Sequence, residues 1–316
     1  MVSASTKGQQ PRVRRAVAIG VFDGLHRGHV AVVKRLLDHA RAQDLRSCVV
    51  TFDPHPAYVL GPENAPRLLA TLDQRVEWLR ALGVDEVRVI RFDDERAHQS
   101  ARDFVDDVLV KELAAKVVVV GEDFRFGHDR EGSVDLLEEV GVAKDFVVDP
   151  VPLFGDTNKW SSTAVRFALD EGDVEGANAI LGRAFAVRGL VVRGDARGRE
   201  LGFPTANVEI SAHQQLPKVG IYAGAVFIAQ RPWPAAISVG RRPQFYENGS
   251  ILLEVHVVGF HGDLYATSLE VVFLRHLRDE TTFDSLDGLI AQIGADVART
   301  QEIFDSCALE EPGLLG

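Results

Sequence analysis

A chain of 316 residues exceeds the roughly 100–200 residues of one compact domain, so two domains are expected. With 46% hydrophobic and 26% charged residues it has the balance of a folded globular protein, which excludes wholesale disorder. Its 35 Lys and Arg against 46 Asp and Glu give a formal charge of −11, which argues against wrapping nucleic acid but allows a small anionic ligand in a locally positive cleft. No run of about 18 apolar residues occurs, so no membrane partner is expected. The opening MVSASTKGQQPRVRR lacks the apolar stretch of a signal peptide and reads as a frayed basic tail. Cys48 and Cys307 have no CxxC partner, so no zinc site is expected, and the reducing cytoplasm is the expected compartment.

The first half alternates strand and helix. AVAIGVF (16–22) is a short apolar run ending in a Gly-bearing turn. HVAVVKRLLDHARAQ (29–43) carries Val32, Val33, Leu36, Leu37 and Ala40 at helical spacing. SCVVTF (47–52) reads as a strand and TLDQRVEWLRALG (71–83) as a helix closed by Gly83. EVRVIRF, ARDFVDDVLVKELAA and KVVVVG repeat strand, helix, strand. This rhythm predicts a Rossmann-like α/β domain, a parallel sheet covered on both faces, with ligands at the carboxyl ends of its strands. From about residue 183 short apolar strands dominate: AVRGLVVRG, TANVEI, IYAGAVFI, AAISVG, ILLEVHVVGF and LEVVFLRHL. They predict an antiparallel β-barrel or sandwich. A terminal helix follows, with Leu286, Leu289, Ile290, Ile293 and Val297 on one face.

Gly20-Val21-Phe22-Asp23-Gly24-Leu25-His26-Arg27-Gly28-His29 joins the first strand to the first helix. His26 and His29, three apart at a helix start, project to one side and can both donate to one phosphate. The helix N-terminus adds free N–H groups and the positive end of its dipole, and Gly28 lets the backbone approach a ligand. Such a site suits attack at a nucleotide α-phosphorus, where the protein supplies orientation and charge stabilisation. Two surface histidines are the plainer alternative. Further on, Trp160-Ser161-Ser162-Thr163 starts a helix, and Arg166 lies one turn past Thr163, placed to bridge phosphate oxygens. Capping by Ser162 beside a surface arginine fits that stretch equally well.

The string GVFDGLHRGH, with TFDPHP (51–56), GEDFRFG (121–127) and SST..R (161–166) in that order, resembles the HxGH nucleotidylyltransferases. More narrowly it looks like the flavin adenylyltransferase module of prokaryotic bifunctional riboflavin kinase/FAD synthetases. The resemblance implies transfer of AMP from ATP to FMN with release of pyrophosphate. It makes His26 and His29 the catalytic phosphate contacts. Gly20, Phe22, Asp23, Gly24, Gly28, Ser162, Thr163 and Arg166 become nucleotide contacts. Asp123, where many members carry Asn, falls with Phe124 and Phe126 at the flavin. Read on their own, those two phenylalanines alternate on a strand and fit a flavin ring or the core alike. His55, between Pro54 and Pro56, fits either a cleft or a plain loop.

In the second half, Arg193–Asn207 (RGDARGRELGFPTAN) places Gly194, Gly198 and Gly202 four apart in a loop able to present N–H groups to phosphates. Thr205 and Asn207, two apart on a strand, share one face and carry hard oxygen ligands of the kind Mg²⁺ accepts. A glycine-rich hairpin with polar edges is the alternative. This block, with GIYAG, LEVHVV, GDLY, FLRHLRDETTF and QIGADV, resembles the riboflavin kinase module, whose pattern runs GRxLGFPTAN. That resemblance makes Glu254 the general base, Thr205 and Asn207 the metal ligands, and Arg278 a contact to nucleotide and flavin. Glu254 sits in an apolar strand, where partial burial would suit it to accept a proton; an outward strand Glu fits the alternation equally. Three positions depart from the family pattern: Ser238 to Phe245, with Ser238 and Gln244 for Asn and Thr, Gly259 for Asp, and Ala266 for Gly.

The expectation is an FMN adenylyltransferase module at 1–182 and a riboflavin kinase module at 183–316, with riboflavin, FMN and ATP as substrates and Mg²⁺ as cofactor. A single-activity adenylyltransferase, or a paralogue of altered flavin preference, whose barrel only binds flavin, is the nearest rival. A flavin-storage or flavin-sensing protein without turnover is a rival from another class.

Overall fold

The computed structural model describes residues 13–152, 160–194, 198, 201–240, 251–307 and 309. By internal contacts the chain forms two compact units. The first comprises residues 1–22, 28–65 and 79–154; the second comprises 23–27, 66–78 and 155–316.

The first unit is built on a five-stranded sheet of β1 (Arg15–Ile19), β2 (Arg46–Asp53), β3 (Glu86–Arg91), β4 (Ala115–Gly121) and β5 (Val147–Val151). Their order is β3-β2-β1-β4-β5, with every pairing parallel. Ala16–Ile19 and Val117–Val120 are buried without alternation, as strands covered on both faces must be. α1 (Arg27–Ala42) follows β1 and buries Val30, Val32, Val33, Leu36 and Ala40. The connections include α2 (Ala57–Leu60), α4 (Asp94–Ala97), α5 (Ala101–Phe104) and α6 (Val134–Lys144), while α3 (Leu72–Ala81) is divided, its residues 72–78 counting with the second unit. Because β1 lies between β2 and β4, the sheet's switch point falls at the carboxyl ends of β1 and β4, where such sheets bind ligands.

In the second unit, α7 (Ser162–Glu171) and α8 (Val174–Leu181) precede a closed barrel of β6 (Phe185–Val192), β7 (Ala206–Ile210), β8 (Gly220–Ile228), β9 (Arg231–Val239), β10 (Ile251–Val257) and β11 (Ser268–Arg278). The strand order is β10-β7-β6-β11-β8-β9, closed and antiparallel throughout. Val208, Ile210, Tyr222, Val226, Ile237, Leu253, Val255, Val271 and Phe273 fill its interior, and Val165, Leu169, Val174 and Leu181 of the two helices join the same core. Asn178 splices α8 to the barrel, accepting from the Phe185 amide at 2.6 Å and donating to the Phe273 carbonyl at 3.0 Å.

The terminal helix α9 (Leu286–Ser306) is present as expected. Its buried residues are Asp296, Thr300 and Ile303, and Leu286 is 59% exposed. The apolar face read from the sequence instead turns partly toward a cavity of the barrel, with Leu289 and Ile293 in its lining. Among the described residues no helix is long and apolar enough to cross a membrane. The α/β unit, the antiparallel barrel and the terminal helix are the architecture expected.

Candidate active sites

The chain leaves β1 through a strained turn. Phe22 (φ 54) and Leu25 (φ 41) adopt left-handed conformations without being glycine, and both side chains are buried. Gly24 (φ +75) lies over Leu69, where an added Cβ would fall 2.8 Å from the leucine side chain. Thr51 donates its hydroxyl to the Val21 carbonyl at 2.9 Å. Gly28 and His29 lie in the first turn of α1, and the His29 ring sits 5.2 Å from the Phe22 ring.

Asp23, assigned to the nucleotide by the sequence, is occupied otherwise. Only 2% exposed, it accepts from the Leu69 amide at 3.0 Å, from the Ala70 amide at 3.1 Å, and from Arg166. Burial pushes its carboxyl upward, and Arg166, then the Leu69 amide, Arg75 and the Ala70 amide oppose that. Asp23 therefore braces the turn against the segment at 66–70. Arg166 also donates Nε to the Arg67 carbonyl at 2.6 Å, so most of its fork is engaged within the protein. Ser162 donates to the Asp23 carbonyl at 2.8 Å, and the cap of α7 is Ser161, whose hydroxyl accepts from the Ala164 amide. Capping thus falls one residue before the position read from sequence. Thr163 is exposed on the same first turn.

His26 is 6% exposed, and burial first, then the cations of Arg183 and Arg166, hold its imidazole down to about 4. At neutral pH it is an uncharged ring offering one N–H, not a cation. The positive charge beside it comes from Arg183 and Arg166.

A cavity of about 750 Å³ opens in the first unit, mostly apolar, at the switch point of the sheet. Gly20, Val21, Phe52, Phe92, Phe104, Phe124 and Phe126 line it together with His55. Phe124 and Phe126 lie beyond the end of β4 in a loop rather than on a strand, with their rings stacked at 5.4 Å. His55, one of the lining residues, accepts from the Ala57 amide at Nδ1 over 3.1 Å. Asp123 is exposed on the turn after β4, outside this lining.

The barrel carries a second cavity, of about 690 Å³. Strand register explains its composition. Asn207 of β7 pairs with Glu254 of β10, Glu254 with Ser238 of β9, Ser238 with Ile221 of β8, and Ile221 with Arg278 of β11. One rung therefore brings five residues scattered over the sequence to one face, since directly paired residues share a side. All five line the cavity, with Thr205, Gly198, His256 and Asp296. Arg278, read from the sequence as a contact to nucleotide and flavin in the second module, lines this cavity. Asp296 of α9 holds it at 2.8 Å from Nη2 and 3.1 Å from Nε, and Gln292 supports Asp296 at 2.9 Å. Glu254 is exposed to the cavity rather than partly buried. His256 hydrogen-bonds the Pro204 carbonyl at 2.8 Å and so ties β10 to the loop before Thr205.

Asn207 is 7% exposed, and its amide lies so close to Gly194 that a Cβ there would overlap it. At Gly198 a Cβ would overlap the Phe203 carbonyl and lie 3.2 Å from the Thr205 hydroxyl. Gly202 turns with φ +86 and faces open space. Thr205 also lines a further cavity of about 360 Å³, with Val191, Phe260, Asp263 and Tyr265. Among the described residues no three His, Cys, Asp or Glu side chains cluster as a metal cage. A hydroxyl, an amide oxygen and a nearby carboxylate fit instead a cation that keeps water and phosphate in its shell, which is Mg²⁺ behaviour. Of the departures, Ser238 stands on the rung, Gly259 and Ala266 are both left-handed (φ 72 and 58), and Gln244 lies outside the described residues.

Sequence reasoning passed over Arg183, Trp78, Asp296 and the place of Ser238. Asp296 lies within the quoted QIGADV block, and the need of Arg278 for a counter-charge was the available signal.

The family model for FAD synthetase matches residues 9–164 and that for riboflavin kinase matches residues 181–304. A bifunctional riboflavin kinase/FMN adenylyltransferase of Pseudomonas fluorescens is 40% identical over 296 residues, covering 93% of this chain and 94% of its own. Those of Escherichia coli K12 and Listeria monocytogenes are 39% and 34% identical, covering 94% and 92% of this chain and 95% and 93% of theirs. A solved Streptococcus pneumoniae structure, described as a macrolide-efflux protein, superposes with a TM-score of 0.82 at 33% identity, covering 93% of this chain and 95% of that one. Matched along both halves at these identities, the chain belongs to the bifunctional riboflavin kinase/FMN adenylyltransferase family.

Proposed function

We propose that this chain phosphorylates riboflavin to FMN and adenylylates FMN to FAD, in the cytoplasm, with residues 183–316 as the kinase module and 1–182 as the adenylyltransferase module. The observation that carries the kinase reading is the single rung of Asn207, Glu254, Ser238, Ile221 and Arg278 around one cavity. Glu254 takes the proton of the ribityl 5′-hydroxyl as that oxygen attacks the γ-phosphorus of ATP, and the bond from that phosphorus to the β,γ-bridging oxygen breaks to release ADP. Asn207 and Thr205 are the residues to hold Mg²⁺, which neutralises phosphate charge when bound. Thr205 lines both barrel cavities, which suits it to stand where two substrates meet, flavin on the Glu254 side and nucleotide on the other. Arg278, fixed by Asp296, contributes a cation with little freedom left to lose.

For adenylyl transfer, the FMN phosphate attacks the α-phosphorus of a second ATP and pyrophosphate leaves. His26 and His29 donate to the phosphates, Gly20 and Gly28 let the backbone approach them, Gly24 makes the turn over Leu69, and Phe22 seats His29. Ser162 and Thr163 at the start of α7, with the remaining N–H groups of Arg166, form the second phosphate contact. The aromatic cavity lined by Phe124 and Phe126 takes the isoalloxazine ring. Incubation with riboflavin and MgATP, with flavins resolved by chromatography, should show FMN and then FAD; supplied FMN should give FAD directly. Accumulation of FAD from FMN but never of FMN from riboflavin would select the single-activity reading, and bound flavin without ATP consumption the storage one.

A further inference from the structure

Arg183 lies in the turn between α8 and β6, and the activity proposed above gives it no part. Its guanidinium stacks 3.9 Å above the Trp78 ring, which is itself 4% exposed. Nη2 donates to the Gly24 carbonyl at 2.8 Å. Nη1 is out of solvent and meets no hydrogen-bond acceptor among the described residues. A buried cation with an unmet N–H is costly, so its retention calls for a reason beyond packing.

That reason lies in the turn it holds. Phe22 and Leu25 are left-handed, a conformation that persists in non-glycine residues only where the surroundings impose it. On one side Asp23 ties the turn to the Leu69 and Ala70 amides and to Arg166. On the other, Arg183 ties it through the Gly24 carbonyl, two residues before His26. We propose that Arg183 is a positioning residue for adenylyl transfer, clamping the Gly24 carbonyl so that His26 is presented to the nucleotide phosphates. This rests on the adenylyltransferase reading. The charged groups around His26 are Arg183 and Arg166, the latter paired with Asp23, and both cations favour the neutral imidazole.

The test uses the full chain with R183M and R183K. R183M should lower kcat for FAD formation from FMN by about 10- to 100-fold, the scale of a small misplacement, with KM for FMN and ATP nearly unchanged. FMN formation from riboflavin should stay at the wild-type rate in the same preparation. R183K, which keeps a cation and a donor to Gly24, should regain part of the loss. The C2 proton of His26, followed by NMR, should titrate higher in R183M than in wild type and R183K. FAD formation by R183M within about threefold of wild type overturns the proposal. So does an equal loss of both activities in both variants, which makes Arg183 a folding residue. Wild-type protein that forms no FAD from FMN overturns instead the adenylyltransferase reading.

Discussion

Protonating His26 is a perturbation whose size follows from its surroundings. Burial, with Arg183 and Arg166 near, holds the imidazole at about 4 against an ordinary 6.5. Between those values the unfolded chain binds a proton that the folded chain refuses, so stability rises with pH across that window and is lost as pH falls from 6.5 toward 4. At about 1.4 kcal/mol per pH unit the full loss is about 3 kcal/mol, of which about 2 kcal/mol has gone by pH 5. Other groups titrate in the same range, so the measurement is a difference between wild type and His26→Gln, which stays neutral throughout. All three tryptophans, Trp78, Trp160 and Trp233, lie in the unit that contains His26, so their fluorescence reports its urea unfolding. The stability gap between the two proteins should shift by about 2 kcal/mol in favour of the variant from pH 7.5 to pH 5. Parallel pH profiles would mean that His26 titrates as in the unfolded chain, and the picture of a neutral donor among arginines would fail.

Four more outcomes are expected. His29→Ala should lower FAD formation by about 10²–10³ while FMN formation persists, since a preorganised donor contributes on that scale; equal loss of both would break the two-module assignment. Glu254→Gln should lower kcat for FMN formation by about 10²–10⁴ without loss of riboflavin binding, measured by flavin fluorescence, and should still convert FMN to FAD. A kcat within about threefold of wild type would place the base elsewhere. Asn207→Ala should raise the Mg²⁺ concentration needed for half-maximal kinase rate, and an unchanged magnesium titration would remove Asn207 from the metal. Ala266→Gly should stabilise the barrel by about 0.5–1 kcal/mol, because alanine at φ 58 bears a left-handed penalty that outweighs the entropy glycine adds to the unfolded chain; a lower thermal midpoint would refute it.

The layers were legible because their periodicities are local: Val117–Val120 reads as a buried parallel strand from four consecutive residues, and α1 shows its face within one window. What escaped depends on distant chain. Asp23 looks like a ligand contact until the Leu69 and Ala70 amides, more than forty residues on, are seen to occupy its oxygens. Phe124 and Phe126 alternate like strand residues, yet the parallel ladder ends at Gly121 and both fall in the loop that shapes the aromatic cavity. On α9, the sequence shows an apolar stripe at helical spacing but not what it faces. The structure uses Leu289 and Ile293 as cavity wall and buries Asp296 to hold Arg278. Arg183 carries no local pattern at all; only the approach of Trp78 and Gly24 gives it meaning.

The barrel rung bears on the departures from the family pattern. Asn207, Glu254, Ser238, Ile221 and Arg278 are brought together by backbone pairing, which no single side chain sets. A change of residue on the rung therefore alters what faces the cavity without moving its neighbours. Ser238 still offers a donor and an acceptor beside Glu254, with a shorter reach than the asparagine of the family pattern. Under the proposed kinase reading the consequence falls on contacts to the substrate, while Glu254 and Asn207 keep their places on the rung. By the same logic the net charge of −11 does not oppose two anionic substrates. Near His26, Arg166 and Arg183 act at short range, where the distant surface acids are screened within about 10 Å at ordinary salt.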